Sequence, residues 1–196
     1  MQLAITTVIL AGGLGKRIGG AKALKPLQDK AMIGWVLGMA SRQSSEVLIS
    51  ANDAPENYAS FGRPVIADRL SGWIGPLAGL HAALHHAKHD LVACLPCDTP
   101  FLPEDLLPRL LAAASKEDAD AAVAVVDGKR QPVIGLYHKR VLPSLDAFLH
   151  AGGRKVAEWQ NTLRLSEVVF DNAGLFANIN SPDDLTQANQ VAASLK

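Results

Sequence analysis

A β-branched, apolar run, Ile5-Thr6-Thr7-Val8-Ile9-Leu10, breaks directly into Ala11-Gly12-Gly13-Leu14-Gly15-Lys16-Arg17-Ile18-Gly19-Gly20-Ala21-Lys22. This juncture constrains the fold more than any other stretch. Such a run ending in clustered glycines reads as a buried strand that feeds a tight loop. Glycine lets the backbone adopt positive φ and approach a ligand closely. Successive free N–H groups in such a loop form an anion cradle. Lys16, Arg17 and Lys22 add the positive charge that phosphates need. The loop is neither of the two common glycine fingerprints. A Walker A loop needs Ser or Thr after its lysine, and Ala23 follows Lys22. A dinucleotide fingerprint needs a third glycine where Ile18 stands. An ordinary glycine-rich strand-to-helix turn would read in the same way.

Beyond the loop, short apolar runs alternate with amphipathic segments. Strands are predicted at Ala4–Leu10, Val47–Ala51, Pro64–Ala67, Leu91–Leu95, Ala121–Val126, Pro132–His138, Glu167–Phe170 and Leu175–Ile179. Helices are predicted at Met32–Arg42, Pro76–Lys88, Pro103–Ser115, Val141–His150, Lys155–Thr162 and Pro182–Leu195. This alternation implies an α/β fold with a doubly wound, mostly parallel, Rossmann-like sheet. Asp127-Gly128 reads as a two-residue hairpin turn. The 196 residues fit one domain over 1–196, and 48% hydrophobic composition argues against disorder.

Lys+Arg and Asp+Glu both number 19, so no global basic field exists for nucleic acid or an anionic membrane. Any anion site must be local. No apolar stretch reaches the roughly 20 residues of a membrane span. Met1-Gln2-Leu3-Ala4 lacks the basic start of a signal peptide, and a cytoplasmic protein is expected. The two cysteines are spaced as Cys94-Leu95-Pro96-Cys97. Cys94 ends an apolar run and reads as a buried strand residue. Asp98 would raise the thiol pKa of Cys97, which opposes redox use.

Four predicted strands end in polar or glycine residues: Gly12-Gly13, then Ser50-Ala51-Asn52-Asp53, then Asp68, then Asp98-Thr99. In a parallel sheet these ends converge on one crevice, where ligands bind. Asp98 is the candidate metal ligand, because Mg²⁺ sites combine one or two carboxylates with phosphate oxygens. Capping of a turn before Pro100 is its structural alternative. Asp68 suits a ribose hydroxyl, or else is a loop carboxylate beside Arg69. Gly75-Pro76-Leu77-Ala78-Gly79 opens a helix, and its small residues fit close packing or a close ligand equally well.

Together these residues resemble the molybdenum cofactor guanylyltransferases and, more broadly, the nucleotidyltransferase superfamily. The resemblance rests on Leu10-Ala11-Gly12-Gly13, Arg17-x-Gly19-x-x-Lys22, Ser50-Ala51-Asn52, Asp68, Gly75-Pro76-Leu77-Ala78-Gly79, Pro96-Cys97-Asp98-Thr99-Pro100 and Asn178-Ile179-Asn180-Ser181-Pro182. It implies transfer of GMP from GTP to molybdopterin, with Mg²⁺ and release of pyrophosphate. It implies GTP contacts at Leu10, Ala11, Gly12, Gly13, Lys22, Asn52, Asp68 and Asp98. Ser50 stands where some members carry asparagine. Lys22, Arg17 and Asp98 are the expected catalytic residues, with Asp98 also holding the metal. Asn178 and Asn180 are expected at the pterin, and Arg154, with Arg130 and Lys155, at the acceptor phosphate. A solvated surface would explain those three basic residues as well. Handing on a labile pterin product implies molybdoenzyme maturation proteins as partners.

Two other readings share these residues. One is a cytidylyl- or other nucleotidyltransferase with the same loop. The other is a nucleotide-binding carrier without turnover. His81, His85 and His89 recur at helical spacing, with His86 adjacent. They read as a solvated helix face in preference to a metal site.

Overall fold

The computed structural model describes residues 2–12, 21–52, 54–70 and 75–194. In chain order its elements are β1 (Leu3–Leu10), β2 (Pro26–Leu27), β3 (Lys30–Ala31), α1 (Met32–Gln43), β4 (Ser44–Ser50), β5 (Val65–Ile66), α2 (Pro76–His86), β6 (Leu91–Pro96), α3 (Leu106–Lys116), β7 (Ala121–Val126), β8 (Lys129–His138), α4 (Leu142–His150), α5 (Val156–Gln160), β9 (Leu165–Val169) and α6 (Pro182–Ser194). A seven-stranded sheet runs β5-β4-β1-β6-β8-β7-β9. Only β8 opposes the others, pairing antiparallel with β6 and β7. The chain winds outward from β1 through β4 to β5, then returns to β6 on the other side of β1. That reversal is a topological switch point, and it lies beside the glycine-bearing end of β1.

Side-chain alternation divides the core. Ile5 and Ile9 of β1 pack with α1 and α3 on one face. Val8 and Leu10 pack with α2, α4 and α5 on the other. The threonines of β1 are buried but satisfied: Thr7 Oγ1 lies 2.5 Å from Ser44 Oγ, and Thr6 Oγ1 donates to Glu46 Oε2 at 2.6 Å. Under the second face, Trp159 is fully buried and stacks on Tyr137, their ring centroids 5.5 Å apart. Burial pushes the Tyr137 phenol well above its ordinary pKa, while its oxygen accepts from Gln160 Nε2 at 2.7 Å.

The Asp127-Gly128 turn is as expected. Both residues take positive φ, 49° and 69°, which matches the twist of a tight hairpin, and Val126 pairs with Lys129. Two expectations fail. Leu175–Ile179 is not a strand: Ala173–Phe176 forms a 3-10 turn, begun by Asn172 Oδ1 accepting from Gly174 N at 3.1 Å. Phe176 instead tucks against Phe170, centroids 5.1 Å apart. Nor does a helix begin at Pro103. Leu106 N donates back to Pro103 O at 3.1 Å as a turn, and α3 starts at Leu106. Gln43 Oε1, from α1, accepts the Leu107 N–H at 2.9 Å and supplies the cap that Asp105 does not.

The β2–β3 hairpin and α6 form a small third layer around Leu27, Met32, Ile179, Ala188 and Ala192. Asn189 Oδ1 accepts from Gln28 N at 2.9 Å and ties helix to hairpin. This contact brings the last helix to the segment that follows the glycine loop.

Candidate active site

Strand register brings the four polar ends together. Leu10 lies opposite Ser50 on one side and Pro96 on the other, and Ser50 lies opposite Ile66. At ordinary strand spacing these ends span about 14 Å. Backbone bonds carry the alignment past the strands: Ala11 N donates to Ser50 O at 2.8 Å, Ala51 N to Ile66 O at 3.0 Å, and Cys97 N to Leu10 O at 3.2 Å. Leu10, Ala11, Gly12, Asn52, Asp68 and Asp98 therefore share one rim. Gly13 and Arg17 lie outside the described residues.

On the β4–β5 side, Asn52 and Asp68 clamp each other. Asn52 Nδ2 donates to Asp68 Oδ2 at 2.7 Å, and Asp68 N donates to Asn52 Oδ1 at 2.8 Å. A Cβ on Gly12 would stand 3.8 Å from Asn52 Nδ2, so the backbone of Gly12 passes directly over this pair.

On the β6 side, Lys22 Nζ donates to Asp98 Oδ2 at 2.5 Å and to Asn180 Oδ1 at 2.6 Å. The side chains of Lys22 and Asp98 are only 11% and 19% exposed. Ala21 takes a left-handed conformation, φ 42°, directly before Lys22. For a residue with a Cβ, that conformation costs on the order of 1 kcal/mol and marks a backbone held by its surroundings. The second carboxylate oxygen of Asp98, Oδ1, is buried and has no hydrogen-bond partner among the described residues. A buried, unpartnered carboxylate oxygen is unfavourable unless a cation or donor occupies it. Asp98 thus offers a lone-pair site of the type a hard divalent cation takes.

The far end of the chain completes this side. Ile179 N donates to Asp98 O at 2.9 Å, and Thr99 Oγ1 donates to Asn178 Oδ1 at 2.6 Å. Asp184 Oδ2 accepts from Asn180 N at 2.8 Å and Ser181 N at 2.9 Å, while Ser181 Oγ accepts from Asp184 N at 3.2 Å. This is a capping box at the start of α6. The backbone of Asn180, then Ser181, holds the Asp184 carboxyl below its ordinary pKa. Ser181-Pro182-Asp183-Asp184 reads in the sequence as a serine cap, a proline at the first helical position and acids in the first turn, and the structure agrees; nothing in the sequence marks the Thr99–Asn178 bond.

The helix beneath the rim is fitted tightly. Gly75 takes φ 69° and ψ −151°, a region open in practice only to glycine, and Pro76 follows as first helical residue. A Cβ at Gly79 would come within 2.6 Å of both Leu10 Cδ2 and Ser50 Oγ. Close packing therefore demands this glycine.

Three expected acceptor residues are not joined to the rim by any bond among the described residues. Arg154 donates to Leu149 O at 3.2 Å and Gly153 O at 2.7 Å, capping the end of α4. Arg130 pairs with Glu167 and Asn161, and Lys155 with exposed Glu158. Both cysteines are free and buried, with thiols pushed up to about 12, chiefly by burial and, at Cys97, by Asp98 next. Neither is a redox centre at neutral pH.

The histidine expectation needs correction. His81 is not solvated: it is 3% exposed, and its Nε2 lies 2.7 Å from Asp146 Oδ1. The packing of α4 against α2 buries it. His89 leaves that face and pairs with Ser45, while His86 turns back to Ala82 O. Desolvation, then the charge of His81, lowers the pKa of His85.

Comparison with known proteins agrees with this architecture. Residues 7–165 match the family model of the MobA-like NTP transferase domain. A molybdenum cofactor guanylyltransferase of Cupriavidus pinatubonensis is 44% identical over 187 residues, covering 92% of this chain and 94% of that one. One of Shewanella sp. strain MR-4 is 41% identical, covering 100% of this chain and 98% of that one. The crystal structure of molybdopterin-guanine dinucleotide biosynthesis protein A from Archaeoglobus fulgidus superposes with a TM-score of 0.80 at 25% identity, covering 96% and 99% of the two chains.

Proposed function

The chain belongs to the MobA-like NTP transferase family, and on that premise we propose that it is a molybdenum cofactor guanylyltransferase that joins GMP from GTP to molybdopterin. The observation that carries the reading to named residues is the Lys22–Asp98–Asn180 cluster at the switch point, with one Asp98 oxygen left open among the described residues.

The chemistry fits what the rim contains. The acceptor is a phosphate monoester with a second pKa of about 6, so it is largely ionised at neutral pH. Its oxygen forms a bond to the α-phosphorus of GTP while the bond from that phosphorus to the bridging oxygen breaks. Pyrophosphate leaves with the electron pair. No general base is required, and no histidine stands in the cluster. The barrier is the approach of two anions. Lys22 lowers it with a fixed positive charge held by two acceptors. Arg17 joins that role on sequence grounds. Asp98 would hold Mg²⁺ through Oδ1, and the ion would supply charge for the phosphate oxygens and the departing pyrophosphate. Leu10, Ala11 and Gly12, with Gly13, offer backbone to the nucleotide. Asp68, oriented by Asn52, is poised for the ribose hydroxyls. Asn178 and Asn180 would meet the acceptor; Arg154, bonded at the end of α4, would have to release the Leu149 and Gly153 carbonyls to reach its phosphate.

We also propose a cytoplasmic location; two free, buried thiols and a neutral net charge are in keeping with it. No helix of the described residues is long and apolar enough to cross a membrane. Passage of a labile pterin product to molybdoenzyme maturation proteins belongs to the same reading.

The test is pyrophosphate release with Mg²⁺ and molybdopterin, using GTP, CTP and ATP in parallel. Release with GTP alone, dependent on molybdopterin, is expected. Release with CTP would move the chain to a cytidylyltransferase. Nucleotide binding without release would make it a carrier.

A further inference from the structure

His81 and His85 stand one turn apart on α2, so both imidazoles project from one side of the helix. Their rings meet edge to face, centroids 4.7 Å apart at an interplanar angle of 72°. Asp146 reaches across from α4 to His81 Nε2 at 2.7 Å. One ligand atom from each of these three residues lies within 4.8 Å of the others. Among the described residues no other group of three His, Cys, Asp or Glu side chains gathers in this way. Around tetrahedral Zn²⁺ such atoms stand about 3.4 Å apart, so side-chain shifts of about 1 Å would seat the ion.

An ion pair alone leaves this cluster incomplete. His81 is buried, and its Nδ1 has no hydrogen-bond partner among the described residues. A histidine used only for packing has no need of a carboxylate from across the helix seam and an imidazole one turn along its own helix. His85 is exposed and Asp146 is half-buried, so the cluster opens to solvent on one side. That opening gives an ion a way in and leaves room for water as the fourth ligand. Arg69 and His86 also face His85, and the Asp146 carboxylate opposes their charge.

We propose that His81, His85 and Asp146 form a second metal site, which takes Zn²⁺ as a clip between α2 and α4. The clip begins two residues beyond Gly79, where α2 presses against Leu10 and Ser50 beneath the nucleotide rim. It would therefore fix the helix on which the rim rests.

The test uses the full, untagged chain, stripped of metal, with Zn²⁺ alone titrated by calorimetry and thermal melts recorded at each point. Wild type and Asp98→Ala should each bind one Zn²⁺ at this site and melt at higher temperature with it. His85→Ala, a change at an exposed position, should bind at least about tenfold more weakly and lose the thermal gain. Asp146→Asn should behave like His85→Ala, and His89→Ala like wild type. Co²⁺ in place of Zn²⁺ should give the visible absorption of a tetrahedral site in wild type, Asp98→Ala and His89→Ala, and not in His85→Ala or Asp146→Asn. The proposal is overturned if wild type binds no stoichiometric Zn²⁺, if His85→Ala binds it as tightly as wild type, or if Asp98→Ala abolishes it.

Discussion

Polar clusters occupy both ends of the central sheet, and they are finished in opposite ways. At the starts of β7 and β9 and the end of β8, Asp118 and Asp120 meet Arg140 and Arg164. Arg140 Nε donates to Asp120 Oδ1 at 2.9 Å, and Arg164 Nη2 to the same oxygen at 3.0 Å. Arg140 Nη2 also reaches Asp118 O and Ala119 O, each at 3.0 Å. Acids and guanidiniums are matched and mutually satisfied. At the opposite rim, Lys22 is shared between two acceptors, one buried oxygen of Asp98 stays open among the described residues, and glycine brings backbone to the surface. A saturated cluster can only hold strands together. An unsaturated one has valence left for a ligand.

This contrast can be broken by substitution. The largest effect is expected at the rim. Asp98→Ala and Lys22→Ala should each lower pyrophosphate release about 100-fold or more while the melt stays near wild type. Wild-type turnover in either variant would remove the rim from catalysis. Next comes Gly79→Ala, whose Cβ would collide with Leu10 and Ser50 at 2.6 Å. It should cost about 2 kcal/mol in chemical unfolding and weaken GTP binding as well. An unchanged midpoint would mean that α2 can draw back from the rim. Asn52→Ala frees Asp68 from its clamp. We expect KM for GTP to rise about tenfold with kcat nearly unchanged, since one oriented charged hydrogen bond is disturbed.

The smallest effect belongs to the lower cluster. Hydrogen bonds from Arg164, above all, hold the Asp120 carboxyl down to about 2 from an ordinary 3.8. A lowered folded-state pKa stabilises the fold above the unfolded value and is lost as pH falls. The contribution is therefore complete above about pH 4 and fades toward pH 2. Asp120→Asn should cost about 1 kcal/mol at neutral pH, because the network is partly solvated, and should flatten the stability curve between pH 4 and 2. Turnover at neutral pH should not change. A large loss of turnover in this variant would erase the distinction between the two ends.

How much of this was legible in the sequence depended on how local the cause was. The run Ile5–Leu10 and the Asp127-Gly128 turn carry their conformations in adjacent residues, and both appear where expected. Asp98 was legible as a strand-end carboxylate, but its open oxygen was not. That oxygen is defined by Lys22, 76 positions away, which takes only the other one. Leu175–Ile179 misled because its apolar residues bury against Phe170 and the third layer from a loop, without strand pairing. Likewise the helical spacing of His81 and His85 was plain, whereas the burial of His81 comes from α4, sixty-odd residues later. Charge beside glycines is all that the sequence shows of Arg154, and its bonds to helix-end carbonyls cannot be read from composition.

One measurement tests the contrast most directly: a crystal structure of the chain with GTP and Mg²⁺ bound. The account predicts the ion on Asp98 Oδ1, the triphosphate against Lys22 and the ribose beside Asp68. GTP seated instead on Arg140 and Arg164 at the opposite end of the sheet, with no ion on Asp98 Oδ1, would contradict it.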